Sequence, residues 1–208
     1  MRILAAWIVR LESFCFDLWH KVETRATAID FAGKLDTSRG FWYLPTRPRV
    51  IRRVLRDVPS QNNSETVFID FGSGKGRVLL LAAEHGYKKI IGIELRPSLH
   101  EIARQNLARC KHFPQSIHHI ELLNADALDY EFPDRPLVLY FFNPFGNEVL
   151  RQILSKLQLS LDQNRRDVLL AMVSSEFDEL MTSSFPQFEL IDRSRLRSIY
   201  RHNPSEAR

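Results

Sequence analysis

Two groups of residues in this chain have the types and spacing to do chemistry. Asp70 closes a short apolar run, and Gly72, Gly74 and Gly76 follow at alternate positions, with Ser73 between the first two. Glycines tolerate φ > 0 and carry no Cβ, so such a loop lets a ligand approach the backbone. A helix starting just beyond it adds free N–H groups. The same pattern also makes an ordinary strand-to-helix turn, and the triplet alone leaves both readings open. The second group is Glu94, eighteen positions past Gly76. In a doubly wound fold an acid at that distance, at the end of the second strand, binds ribose hydroxyls, because a carboxylate accepts two O–H donors at once. Two phosphate-binding patterns fail here: no Ser or Thr follows a Gly-Lys pair, and position 77, where the dinucleotide fingerprint has glycine, is Arg77.

The elements that must hold these residues alternate regularly. Strands are expected over 66–71, 89–95, 118–124, 137–142 and 167–174, separated by helices over 76–85, 97–111, 147–161 and 176–183. Pro97 opens one helix and Gly86 closes another. Strand–helix alternation predicts an α/β fold, a doubly wound and mostly parallel sheet with right-handed crossovers. The last two strands, 188–192 and 196–200, leave no room for a crossover helix. They are expected to form a hairpin, which makes the last of seven strands antiparallel.

The G-x-G-x-G spacing at 72–76 resembles the first motif of class I, seven-β-strand S-adenosylmethionine-dependent methyltransferases, a Rossmann-like family with an antiparallel last strand. Two further stretches extend the resemblance: residues 122–129, with Asp126 and Ala127, and residues 137–146, with the turn Asn143, Pro144, Phe145. The resemblance implies that Asp70, Gly72, Ser73, Gly74 and Gly76 hold the amino acid end of S-adenosylmethionine. Loop N–H groups would face its carboxylate and Asp70 its ammonium. It implies that Glu94, with its neighbour Leu95, binds the ribose side, that Asp126 accepts from the adenine amine, and that the Ala127 N–H faces the ring. Lys75 and Arg77 are expected in solvent or near the cofactor carboxylate.

Residues 143–145 are similar to the substrate turn of amino-methylating enzymes. There an Asn side chain and a proline carbonyl accept hydrogens from the target nitrogen, and an aromatic residue stacks on a planar target. This chain departs from that pattern in having a single proline before Phe145 and Gly146. Tyr43, Leu44, Pro45 and Thr46 resemble the segment before the first motif in the family's protein lysine methyltransferases, including those acting on an ATP synthase subunit. The expected activity is therefore methyl transfer to an amine nitrogen, a protein lysine first. Asn143 (also beside the cofactor), Pro144, Phe145 and Tyr43 are the catalytic candidates. A nucleic-acid methyltransferase and a non-catalytic, cofactor-binding scaffold are the alternatives.

Composition bounds the rest. With 208 residues, 44% hydrophobic and 26% charged, the chain has a globular domain's make-up. The expected division is a helical extension or substrate cap over 1–60, a cofactor-binding core over 61–203 and a tail over 204–208. Cys15 and Cys110 stand far apart with no histidine cluster, so neither a disulfide framework nor a metal site is expected, and a reducing, cytoplasmic location is. Residues 1–60 hold eleven Lys/Arg against six Asp/Glu. Arg47, Arg49, Arg52, Arg53 and Arg56 form either a nucleic-acid contact or a solvated helix face. Residues 2–21 have helical periodicity, with Leu4, Trp7, Ile8, Leu11, Phe14, Cys15 and Leu18 on one side and Arg2, Arg10, Ser13, Asp17 and Lys21 on the other. Arg10 and Glu12 rule out a transmembrane span. The apolar side is expected to pack on the domain, with peripheral membrane or partner contact as the alternative. A helix is expected over 48–57, with Thr46 as its cap.

Overall fold

A computed structural model of the chain describes residues 2–27, 30, 42–58, 65–110, 119–142, 145–173, 177–195 and 197–202, and from residue 10 onward their side chains. Its elements are α1 (Arg2–His20), α2 (Pro48–Asp57), β1 (Val67–Phe71), α3 (Arg77–Glu84), β2 (Lys89–Glu94) and α4 (Pro97–Arg109). These are followed by β3 (Ile120–Asn124), a 3₁₀ turn (Ala127–Asp129), β4 (Leu137–Phe141), α5 (Asn147–Gln163), β5 (Val168–Met172), α6 (Asp178–Ser184), β6 (Glu189–Ser194) and β7 (Arg197–His202).

The strands form one seven-stranded sheet in the order β3-β2-β1-β4-β5-β7-β6. Strands β3, β2, β1, β4 and β5 are mutually parallel; β7 inserts antiparallel between β5 and β6. The predicted doubly wound α/β sheet and its closing hairpin are both present. Central strands β1, β4 and β5 are buried at every position, the pattern of a sheet covered on both faces. Alternate residues serve two cores. Phe68, Val138, Tyr140, Leu169 and Ala171 pack with α2 and α3 on one face, and Ile69, Phe71, Leu139, Phe141 and Leu170 pack with α5 and α6 on the other.

Two expectations about the N-terminal segment need correction. Helix α2 starts with Pro48 in its first turn, as read, but its cap position is Arg47 without a side-chain hydrogen bond. Thr46 instead spends its carbonyl on Arg77 (2.9 Å). Helix α1 is turned the opposite way from the prediction. Leu11, Phe14, Cys15, Leu18 and Trp19 are exposed, Leu18 and Trp19 at 68% each, whereas Ser13, Phe16, Asp17 and His20 are buried. The physical reason is Asp17. Its Oδ1 accepts from the Thr24 hydroxyl at 2.5 Å, and its Oδ2 accepts from Thr24 N (3.1 Å), Arg25 N (3.2 Å) and Arg25 Nε (3.1 Å). A fully partnered carboxylate can be buried, and burying this one fixes the helix's rotation with its apolar stripe outward.

Candidate functional site

The carboxyl ends of β1, β2 and β3 converge beside the glycine loop. Asp70, one residue before the end of β1, lies in register between Gly92 of β2 and Tyr140 of β4. It is 3% exposed, and its Oδ2 is buried without a partner. Burial first, and then the nearby Glu94 carboxylate, push its pKa well above the usual range. Ser73 Oγ is likewise buried and unpartnered.

The loop turns because Gly72, Gly74 and Gly76 have φ of 78°, 55° and 84°. Two positions also lack room for a side chain. A Cβ on Gly74 would lie 2.4 Å from Tyr43 Cε2, and one on Gly92 would lie 2.5 Å from Leu79 Cδ1 and 2.9 Å from Ser73 Oγ. Gly92 is thus part of the cradle that sequence reading left out; its only signal was its place two residues before Glu94.

Glu94 ends β2 and reaches back to the loop. Its Oε2 accepts from Gly74 N and its Oε1 from Arg96 N, each at 2.8 Å. Burial raises its pKa, and these two N–H donors oppose the rise. Each oxygen keeps a second lone pair, so a diol can still donate to it. Asn124 at the end of β3 donates to the carbonyls of Glu94 (2.8 Å) and Leu95 (3.1 Å). This holds Leu95, itself 40% exposed, beside the next turn. In that turn Asp126 Oδ1 accepts from Leu128 N at 3.0 Å and caps the 3₁₀ segment that contains Ala127.

The loop's N–H groups are not free for an anion, contrary to expectation. Gly72 N and Ser73 N both donate to the Ile93 carbonyl (2.9 Å each), Gly76 N donates to the Ser73 carbonyl (2.9 Å), and Gly74 N serves Glu94. The loop is stitched to β2, and what it offers a ligand is a pair of carboxylates and a buried hydroxyl.

Lys75 and Arg77 are not in solvent either. Lys75 is 1% exposed; its Nζ donates to Asp30 Oδ2 and to the Arg25 carbonyl, each at 3.0 Å. Burial works against the Asp30 carboxylate, but donors from Thr27 and Lys75 outweigh it and hold the pKa below the ordinary value. Arg77, 2% exposed, donates to Thr24 Oγ1 (2.7 Å), Thr46 O (2.9 Å) and Ser13 Oγ (3.3 Å), and lies 3.8 Å from Asp17. Asn106 of α4 completes the scaffold, donating to the Lys75 carbonyl (2.9 Å) and pairing with the Glu23 backbone. Ser13, Thr24, Arg25, Asp30 and Thr46 thus grip the back of the glycine loop. The sequence signal was two cations directly before the apolar run 78–83 of α3.

Of the four catalytic candidates, Asn143 and Pro144 lie outside the described residues. Tyr43 is at the loop: its ring covers Gly74, and its hydroxyl donates to the Thr24 carbonyl at 2.7 Å. Burial pushes the phenol pKa up, so the proton stays on this donor. Phe145 needs correction. It is 4% exposed and packs edge-on against Phe141 (centroids 6.3 Å apart) in the core beneath the start of α5. The arginine cluster is largely paired: Arg47 and Arg49 with Glu12, Arg52 with Glu84, and Arg53 with Asp57. Among the described residues there is no His/Cys/Asp/Glu group able to hold a metal ion.

Residues 68–164 match the family model described as a methyltransferase domain. A comparison with curated proteins finds no significant match. Among solved structures the fold is similar to a putative methyltransferase, yhhF, from Escherichia coli (15% identity, TM-score 0.58, 74% of this chain and 86% of that one). It is also similar to a putative RNA methyltransferase, PH1948, from Pyrococcus horikoshii (18% identity, TM-score 0.54, 75% and 84%). A third is the ribosomal protein L11 methylase from Lactobacillus delbrueckii subsp. bulgaricus (14% identity, TM-score 0.52, 74% and 75%). Residues 68–164 thus carry a methyltransferase domain, and the methyl donor to test against the site is S-adenosylmethionine. The residues present fit that group: a cofactor with an ammonium, a sulfonium and a ribose diol meets two carboxylates, one with a bare buried oxygen, and the otherwise unpartnered Ser73 hydroxyl.

Proposed function

We propose that this S-adenosylmethionine-dependent methyltransferase methylates an amine nitrogen, that of a protein lysine. When bound, the cofactor supplies a methyl carbon already activated by its sulfonium. The chain's own residues then have two tasks. Asp70 would hold the ammonium, Glu94 the ribose diol and Asp126 the adenine amine of the cofactor. The target amine must be neutral to attack, since an ammonium has no lone pair; the Asn143 side-chain oxygen and the Pro144 carbonyl accept its hydrogens and aim that lone pair. Tyr43 borders the entrance from the loop side.

The observation that carries this reading is the burial of Phe145. An aromatic ring locked against Phe141 does not stack on a planar base, so the turn suits an aliphatic amine better than a nucleobase. The pairing of Arg47, Arg49, Arg52 and Arg53 with acids supports it, because these guanidiniums are partly neutralised before any phosphate arrives. A nucleic-acid acceptor is the second reading, favoured by the fold's likeness to the Pyrococcus protein described as a putative RNA methyltransferase. Incubating the protein with methyl-tritiated cofactor and cell lysate separates the two. Label removed by protease, and migrating as methyl-lysine after acid hydrolysis, is the expected result. Label removed by nuclease overturns the lysine reading.

A further inference from the structure

Among the described residues, the largest group of exposed apolar side chains on one element is on α1. Its exposed positions 10, 11, 14, 15, 18 and 19, a single helical face, and Lys21 just beyond read Arg, Leu, Phe, Cys, Leu, Trp and Lys. Leu11 is 62% exposed, Phe14 45% and Leu18 68%. The helix cannot rotate to hide them, because Asp17 is held by Thr24 and Arg25, and Ser13 by Arg77.

The charged residues at the ends and edge of this face are cations, and the exposed Glu23 beyond Lys21 is turned toward Lys75. Arg10 and Lys21 stand at its two ends, and the half-exposed Arg25 lies over the Phe14 ring at 5.1 Å. The helix's acids are elsewhere: Glu12 is turned to Arg47 and Arg49 of the α2 segment, and Asp17 is buried. A second copy of this face would meet it with the same cations, parallel or antiparallel. An apolar strip would also lie poorly against phosphates alone. A bilayer with anionic headgroups answers both features, taking the leucines and aromatics below the headgroups and the cations at their level. Among the described residues no helix is long and apolar enough to cross a membrane, so the contact is one of surface.

We propose that α1 docks the protein on anionic lipid through Leu11, Phe14, Leu18 and Trp19, with Arg10, Lys21 and Arg25 facing the headgroups. The docking is independent of which acceptor receives the methyl group.

Vesicle flotation of the full chain tests this, with phosphatidylcholine vesicles made with and without phosphatidylglycerol. The protein is expected to float with the anionic vesicles, less so at high salt. Leu11→Ser/Leu18→Ser, both at exposed positions, should lower partitioning about tenfold or more. Arg10→Ala/Lys21→Ala should lower it about fivefold per cation. Circular dichroism confirms that the variants fold. Absence of flotation with anionic vesicles overturns the proposal, as does flotation unchanged in both variants. A concentration-dependent dimer that Leu11→Ser/Leu18→Ser abolishes also overturns it, by giving the face to a second copy.

Discussion

The contact between Gly74 and Tyr43 lets the glycine loop's dependence on the N-terminal segment be measured. In Gly74→Ala the new Cβ would lie 2.4 Å from Tyr43 Cε2 and 2.9 Å from Cδ2, at a backbone φ of +55°. Two costs follow. An L side chain in the left-handed region costs about 1–2 kcal/mol. The ring must also retreat by about 1 Å to reach ordinary carbon–carbon contact, but its hydroxyl is tied to the Thr24 carbonyl at 2.7 Å. Losing that hydrogen bond costs about 1 kcal/mol more. The sum is about 2–3 kcal/mol, which for a chain of this size is a fall in melting temperature of about 4–12 °C. The Gly74 N–H that serves Glu94 sits in the same turn, so cofactor affinity should drop as well. Tyr43→Ala removes the steric part and leaves the φ part, so the double variant should lose about 1 kcal/mol less than the two singles combined. Chemical denaturation and calorimetric titration of the four proteins give both quantities. Additive losses, or a Gly74→Ala protein as stable as the parent, would refute the idea that Tyr43 braces the loop.

Asp70 carries a pH prediction. Its folded pKa is raised by burial and then by Glu94, so its stabilising contribution is complete below the unfolded carboxylate pKa and is lost as pH climbs through the folded value. Cofactor affinity should move oppositely, rising over the same window because only the ionised group pairs with an ammonium. Asp70→Asn should flatten both profiles, raise the apo protein's stability above the ordinary carboxylate range and abolish cofactor binding; calorimetric Kd values over a pH series check it. Arg77→Met should cost about 3–5 kcal/mol by removing the guanidinium 3.8 Å from the buried Asp17 carboxylate together with its hydrogen bonds to Thr24, Ser13 and Thr46. Arg52→Met, at a surface pair with Glu84, should cost no more than about 1 kcal/mol; urea midpoints decide, and equal losses would refute the distinction. Glu94→Gln keeps the shape but loses charge beside Gly74 N and Arg96 N, and should weaken cofactor binding more than stability, again by titration calorimetry.

The sheet was legible in the sequence because its signals are local. Apolar runs marked the strands, with ends within three residues of those observed, and the short gap before β7 forced the hairpin. Asp70 and Glu94 could be found because a strand end and a fixed distance from a glycine loop are sequence quantities. What stayed illegible depended on pairings far apart in the chain. The periodicity of α1 separated two faces correctly, but Asp17, Thr24 and Arg77 choose which one turns inward. Phe145 looked like a substrate contact because an aromatic after a proline says nothing about the side of the turn it occupies. The N–H groups of Gly72, Ser73 and Gly74 looked available because their acceptors, the Ile93 carbonyl and the Glu94 carboxylate, lie about twenty residues on.

The same pairings separate structural from ligand-facing charge. Lys75, Arg77, Asp17 and Asp30 are as buried as Asp70, and each has hydrogen-bonded partners. A chain that gives four buried charges hydrogen-bonded partners behind its glycine loop, Arg77 through Nε and Nη1 though not Nη2, has the means to partner a fifth in front of it. Asp70 instead keeps a bare oxygen, with Glu94 close enough to raise its proton affinity and the Ser73 hydroxyl also unspent. An unrelieved pair of acids costs stability in the empty protein, and a bound cation would remove that cost. The cationic cofactor therefore meets a surface that is less stable without it. The N-terminal segment's contribution is to brace the loop from behind, through Tyr43, Lys75 and Arg77.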